Sequence, residues 1–508
     1  MPYEFTRRHF FFGSLLAGAV PAAGFGSVPS LTALGYKSPN EKLNIASIGA
    51  GGKAFSDIMG CATENIVALC DVDDKQAERA YRIYEKVPKY KDFRKMLDEQ
   101  GKEIDAVIVT TPDFMHATAA IWCMERGKHV YTQKPLTRTI WEARQMVEAA
   151  NKYKVATQMG NQGYSNEGTR QAAEMIWAGE IGNVTEVHAW TDRPIWPQGL
   201  TEIPPPSAVP ATLDWDLWLG ISEKRPYTAG GKGYPTEFGG NFYQPFNWRG
   251  FYDFGCGALG DMACHILGAP NLALRLGSPT SVECIHKEGV SSFSFPTRSI
   301  IRYDFPARGD MPPVKVFWHD GMKQAPVIPG VPPGELLGDL PSRPHHRPPQ
   351  PAGTPQQFPP PPPPFTGFIG KVFNWEDWQK EKSEPNLYTP SPDGSLFIGD
   401  KGMLTTGTYG EQTRLVPMEK MKDYQFPQPL LTRSPGHYRD WIRACKGGDP
   451  ACSNFNVAAP FVEWMLTGVI ATRFDGKLEW DGERMRFSNN DEANQYLRPN
   501  FRTGWYLT

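Results

Sequence analysis

The stretch that most constrains this chain covers residues 42–157 and opens Leu43-Asn44-Ile45-Ala46-Ser47-Ile48-Gly49-Ala50-Gly51-Gly52-Lys53-Ala54. An apolar run of strand character breaks into glycines, and a helical segment follows. About twenty residues beyond Gly51 a second apolar run, Ile66-Val67-Ala68-Leu69-Cys70, ends on Asp71. Strand, glycine turn, helix, strand and terminal acid form the arrangement that holds a dinucleotide. Gly49 permits the tight turn, and Gly51 lets the backbone approach a pyrophosphate. Gly52 and Lys53 stand at the mouth of a helix whose free N–H groups and dipole favour an anion. Ala54 sits where a third small residue lets the helix pack on the strand. Asp71 is placed to accept ribose hydroxyls and to repel a 2′-phosphate, which favours NAD over NADP. In a chain with 50 Gly a glycine triplet by itself also describes an ordinary turn. The flanking strands and the spaced acid are what favour the dinucleotide.

At 508 residues the chain exceeds one core, so two domains with additions are expected. A net charge of -2 points to neither nucleic acid nor an anionic membrane as partner. The 8 Cys have no metal-ligand spacing and read as buried thiols, with no metal site expected. Residues 1–40 read as a leader: Thr6-Arg7-Arg8-His9-Phe10 precedes a weakly apolar stretch, 11–25, too short and glycine-rich to span a bilayer comfortably. A twin-arginine pair in that place is a Tat-type export signal, which implies a periplasmic protein exported already folded, with no membrane span in the mature chain.

Alternating strands and helices place a Rossmann-type, doubly wound parallel sheet at 41–160. Its expected elements include a largely apolar strand at 104–109, a helix over 116–126 closed by Gly127, a strand at 130–132, a helix capped by Thr139, and a strand at 155–159. Beyond Gly160 the pattern changes to tryptophan-rich loops and antiparallel strand candidates, the mark of an α/β substrate and oligomerisation domain at 161–480 with a large open sheet. A proline-rich insertion, about 326–365 and ending in the unbroken run 359–364, is expected to lie extended on the surface or to be disordered. Amphipathic helices are expected at 437–445 and 457–472, and residues 481–508 form a tail.

Several residues are candidates for chemistry. Lys134 follows a sheet strand and precedes Pro135, at the edge where open α/β sheets bind ligands; a surface lysine in a turn is the plainer alternative. Thr110, Thr111, Pro112, Asp113 and His116 occupy the neighbouring strand end and face the same cleft, as does Gln133, so they join the cofactor-binding set. Asp261 and His265 are one helical turn apart. The imidazole can take an alcohol proton, and the carboxylate can fix its tautomer or share the substrate hydroxyl; a capping acid with a buried structural histidine is the alternative. Trp248 and Arg249 are candidate substrate contacts, since flat indole faces suit sugars.

Gly49-Ala50-Gly51-Gly52, Thr111-Pro112-Asp113, Lys134-Pro135 and the Asp261…His265 pair together resemble the glucose-fructose oxidoreductase / inositol dehydrogenase family (Gfo/Idh/MocA) over roughly residues 42–480. The resemblance implies a Rossmann domain with a C-terminal α/β domain whose open sheet supports a homo-oligomer, dimer or tetramer. It also implies a late helix returning to the Rossmann domain, and catalytic roles for Lys134 and His265 with Asp261 assisting. Gln133 departs from the family's Glu-Lys-Pro motif and removes a negative charge from beside Lys134. These expectations describe an exported, NAD(P)-dependent oxidoreductase with tightly bound NAD, acting on a secondary hydroxyl of a sugar, polyol or glycoside. The resemblance leaves two alternatives. One is an NAD-dependent glycoside hydrolase that oxidises the sugar transiently and cleaves by elimination; the other is a non-catalytic dinucleotide-binding protein.

Overall fold

The apolar run after Lys42 forms β1 (Asn44–Ile48), the centre of a parallel sheet in a computed structural model that describes residues 41–230, 241–342, 372–383 and 393–507. The other strands are β2 (Asn65–Cys70), β3 (Lys89–Tyr90), β4 (Ala106–Val109), β5 (His129–Thr132) and β6 (Thr157–Met159). Their order is β3-β2-β1-β4-β5-β6, with every pairing parallel. The order reverses between β1 and β4, and the crevice beyond their carboxyl ends is where such sheets place ligands.

Alternation along these strands sends side chains to opposite faces. Ala46, Ile48, Val107 and Val109 join one core, whereas Ile45, Leu69, Ala106 and Ile108 join another. The second core is closed by the helices Lys53–Gly60 and Asp74–Ile83 and, from far along the chain, by Tyr438, Trp441 and Ile442 of the helix His437–Cys445. Trp441 is fully buried there, worth about 2–3 kcal/mol in removed apolar surface. The late helix Phe455–Ala471 packs beside the helix Ile140–Tyr153, so both late helices return to the first domain.

The second sheet has nine strands: β7 (Val184–Trp190), β8 (Ser281–Glu288), β9 (Arg298–Phe305), β10 (Val314–His319), β11 (Gly394–Gly399), β12 (Met403–Thr406), β13 (Arg414–Val416), β14 (Lys477–Asp481) and β15 (Arg486–Phe487). The order is β13-β12-β11-β7-β10-β9-β8-β14-β15, antiparallel except where β7 meets β10. One face of this sheet, through Val187, Ile301, Tyr303, Val316 and Trp318, shares the larger core with the first domain.

Two expectations need correction, and the tail is defined in addition. Residues 326–342 are not a loose insertion. Ile328, Val331 and Leu337 pack against Trp190, Leu396 and Val416, while the Gly338 and Leu340 N–H groups donate to Thr405 Oγ1 (2.9 Å) and Gln412 Oε1 (2.8 Å). The proline run 359–364 lies outside the described residues, as does the leader 1–40. Among the tryptophan-rich loops, Trp215–Leu219 is a short helix capped by Asp214. The tail is also structured: β14 and β15 extend the second sheet, and Trp505 packs near Phe93 with Arg94 over its ring. Segments as short as these carry too little periodicity to read, and pairing or packing partners decide them. Among the described residues no helix is long and apolar enough to cross a membrane. All eight cysteines are free thiols, Cys445 and Cys452 included.

Candidate active site

The glycine turn forms because its neighbours leave no room for side chains. Gly49 has φ +94°, and a Cβ there would lie 2.3 Å from the Thr110 carbonyl oxygen. Gly51 is also required by the next helix: its Cβ would lie 2.3 Å from the Gln76 carbonyl oxygen. Gly52, with φ +51°, caps the helix Lys53–Gly60, and a Cβ on it would meet only open space. Asp71 at the end of β2 accepts from the Ala50 N–H (2.8 Å), the Gly51 N–H (3.2 Å) and the Asp73 N–H (2.9 Å). Its carboxylate therefore braces the turn and keeps lone pairs for a hydroxyl.

This geometry suits a dinucleotide. An uncrowded helix N-terminus faces the crevice, the acid stands beside it, and Thr111 Oγ1 at the end of β4 is buried with no partner. Pro112 makes the turn that leads into a single 3-10 turn, Asp113–Met115, ahead of the helix His116–Glu125.

Not every expected cofactor contact faces the crevice. Both ring nitrogens of His116 meet backbone carbonyls, Nδ1 that of Pro135 (2.8 Å) and Nε2 that of Thr111 (2.9 Å). A neutral ring donates through one nitrogen only, so His116 bonds one strand end and packs its other nitrogen against the second, with neither left open to a cofactor. Burial pushes its pKa down to about 4. Lys53, Thr110 and Gln133 also turn away, toward a residue that sequence reading passed over. Asp57, wholly buried on the dinucleotide helix, receives the Lys53 ammonium, Thr110 Oγ1 (2.9 Å), Gln133 Nε2 (2.9 and 3.1 Å) and Tyr438 OH (2.7 Å). An acid on the buried face of an otherwise apolar helix was the available signal.

Across the crevice, Lys134 follows β5 on a cis peptide to Pro135 and reaches the helix Gly257–Ile266. Its Nζ donates to the Asp261 carbonyl oxygen (2.7 Å) and to Asp261 Oδ1 (3.0 Å). Arg249 Nε donates to the same Oδ1 (2.7 Å). Burial would raise the Asp261 pKa, but Lys134 and Arg249 outweigh it and hold the carboxyl well below the usual range. Arg249 is itself held between rings, its guanidinium 4.2 Å from both Phe246 and Trp248. Trp248 is 6% exposed, so it backs Arg249 rather than offering a free indole face to a sugar. Asp113 completes the cluster. Burial, offset in part by Arg249, pushes its pKa up to about 7.

His265 lies one turn beyond Asp261, its ring 4.6 Å from that of Tyr409. Its Nδ1 is buried without a partner, so Asp261, engaged with Lys134 and Arg249, does not fix the imidazole tautomer through that atom. Burial, then the Lys134 charge, drive the His265 pKa well below its ordinary value and keep the ring neutral. The structure thus brings Lys134, Asp261, His265, Arg249 and Asp113 together. Among the described residues no group of three or more metal-ligating side chains is found.

Comparison with known proteins agrees with this architecture. Residues 43–161 match the family described as oxidoreductase family, NAD-binding Rossmann fold (Gfo/Idh/MocA). An alpha-N-acetylgalactosaminidase of Shewanella oneidensis is 32% identical over 191 residues, covering 32% of this chain and 41% of that protein. An inositol 2-dehydrogenase of Salmonella typhimurium is 30% identical over 125 residues, covering 24% and 37%. The chain thus spans about two fifths of the length of these curated relatives. The solved WlbA dehydrogenase of Bordetella pertussis, in complex with NADH and UDP-GlcNAcA, shares the fold, with a TM-score of 0.53 at 14% identity over 87% of this chain and 99% of that one. So does an inositol dehydrogenase homolog of Azotobacter vinelandii complexed with NADH and myo-inositol, with a TM-score of 0.50 at 15% identity over 87% and 98%. With its glycine turn and terminal acid, the segment 43–161 matches the NAD-binding Rossmann domain of the Gfo/Idh/MocA oxidoreductase family.

Proposed function

We propose that this protein oxidises a secondary hydroxyl of a sugar, polyol or glycoside at the Lys134–Asp261–His265 cluster. The observation that carries the reading is the meeting of Lys134 Nζ with Asp261, from two domains, at the carboxyl edge of the NAD-binding sheet, one helical turn from His265. Bound NAD supplies a hydride acceptor. Gly49–Gly52 and Asp71 hold the dinucleotide, and Thr111 Oγ1 is a buried group free to bond it. Lys134 donates to the substrate oxygen and stabilises charge growing there as its proton leaves. The neutral His265 accepts that proton. Asp261 aims Lys134, and Arg249 locks Asp261.

A second reading keeps the site and changes the net outcome to glycosidic cleavage; the similarity to the Shewanella alpha-N-acetylgalactosaminidase favours it. In that case oxidation would make the neighbouring carbon acidic, loss of its proton would expel the leaving group by elimination, and addition of water with return of the hydride to the ketone would leave the cofactor as it began.

Export belongs to the same reading. A chain carrying Arg7-Arg8 ahead of the apolar stretch 11–25 would work where no soluble nicotinamide pool exists, so NAD would stay bound between turnovers. A reporter fused to residues 1–40 is expected to reach the periplasm only when the Tat machinery is present. A homo-oligomer built on the open second sheet completes the proposal, and sedimentation of the full chain tests it.

The deciding experiment supplies purified protein with polyols, sugars and aryl glycosides, following nicotinamide absorbance and aglycone release in parallel. Reduction without aglycone release supports the dehydrogenase, and release supports the glycosidase. Lys134→Met and His265→Ala should each abolish turnover, a loss on the order of a thousandfold or more, while NAD stays bound. Undiminished rates would remove them from the mechanism.

A further inference from the structure

Four side chains from three regions of the chain end on one carboxylate, and it lies beneath the cofactor turn rather than in the crevice. Asp57 belongs to the dinucleotide helix, as does Lys53. Thr110 and Gln133 follow β4 and β5, and Tyr438 comes from the late helix. Two glycines make the convergence possible. A Cβ on Gly160 would lie 2.6 Å from Gln133 Nε2, and one on Gly60 would lie 2.5 Å from the Tyr438 ring.

We propose that Asp57 and Gln133 are a matched anion–amide pair that positions Lys134. The Gln133 amide nitrogen spans both Asp57 oxygens, at 2.9 and 3.1 Å, and its Oε1 accepts the Lys134 N–H at 3.3 Å. The main chain that carries the lysine is thereby tied to the helix that carries the cofactor. The pairing also explains the neutral residue before the lysine. A glutamate at 133 would bring a second carboxylate within about 3 Å of Asp57 in a buried site, where the like charges oppose each other's ionisation. Asn at 57 would reverse the polarity and restore one donor and one acceptor to the pair. The proposal rests on the reading of Lys134 as catalytic; the pairing itself is measurable without the reaction.

The test is a cycle on the full chain: Asp57→Asn, Gln133→Glu and the double variant, compared for Tm, NAD affinity, kcat and substrate KM. Gln133→Glu is expected to lower kcat about a hundredfold with KM within about threefold of the parent, because Lys134 is displaced while the substrate pocket stays. Both single variants should lower Tm. The double variant should regain Tm and come within about tenfold of parental kcat. If a single variant does not fold, a soluble, NAD-binding double variant is the expected result. A double variant no better than the worse single, or a Gln133→Glu protein equal to the parent, overturns the pairing. Coupled recovery of Tm together with an active Lys134→Met protein would instead sustain the pair and overturn the reaction it was thought to serve.

Discussion

At the level of single residues the site is organised by charge held away from water. Asp261 is stabilised as an anion by two cations, Lys134 and Arg249. Removing Arg249 leaves Lys134 alone against the burial of that carboxyl. Arg249→Met should therefore raise the Asp261 pKa, read by NMR titration of that carboxyl; an unshifted carboxyl would separate Arg249 from Asp261. Asp113 behaves in the opposite way. Its pKa is raised to about 7 by burial, so in the folded state it keeps a proton that the unfolded chain releases near its ordinary pKa of 3.8. Its contribution is greatest below that ordinary value and is lost as pH rises toward about 7. Asp113→Asn should raise Tm more at pH 8 than at pH 5, a gain on the order of 2–4 kcal/mol at the higher pH. Equal shifts at both pH values would contradict this account. Asp71→Ala removes the brace of the glycine turn along with the ribose acceptor. Titration should then show NAD affinity about tenfold to a hundredfold weaker, with discrimination against NADP relaxed.

At the level of elements, the helix His437–Cys445 does most to join distant parts of the chain. It closes one face of the Rossmann sheet through Trp441 and Ile442, and it reaches the cofactor helix where Gly60 leaves space for the Tyr438 ring. Gly60→Ala should push the two helices apart at a cost of about 1–3 kcal/mol, read as a lower Tm with weaker NAD binding. The longer strands and the helices of the first domain were legible in sequence because parallel strands covered on both faces are continuous apolar runs and several of the helices between them carry caps. β7 and the helix His437–Cys445 were likewise legible from their periodicity. β3, β13 and β15 are only two or three residues long and were not legible, because a strand that short is defined by its neighbour rather than by its own pattern.

At the level of the molecule, one face of the first sheet and part of the second share the larger core, and the other face of the first sheet is covered by a helix from late in the chain, so the first half does not own its apolar surface. Residues 42–161 expressed alone would expose the sheet face that Tyr438, Trp441 and Ile442 cover. That fragment should be insoluble or lack a cooperative thermal transition, whereas the full chain should melt cooperatively and gain Tm with added NAD. A soluble, cooperatively melting fragment would contradict the shared core.

Local physics was enough to determine the dinucleotide turn, the acid at the end of β2, the order of strands and helices in the first domain, and the one-turn spacing of Asp261 and His265. Each of these depends on backbone sterics or periodicity within a short window. Only the tertiary structure decided that Gly51 is also required by Gln76, that His116 packs between two strand ends and Trp248 is a support for Arg249, and that Asp57 gathers Lys53, Thr110, Gln133 and Tyr438. Those roles depend on which groups meet in the folded interior, at Asp57 across as many as 381 residues. There, a charge or a donor takes its function from its partners rather than from its position in the chain.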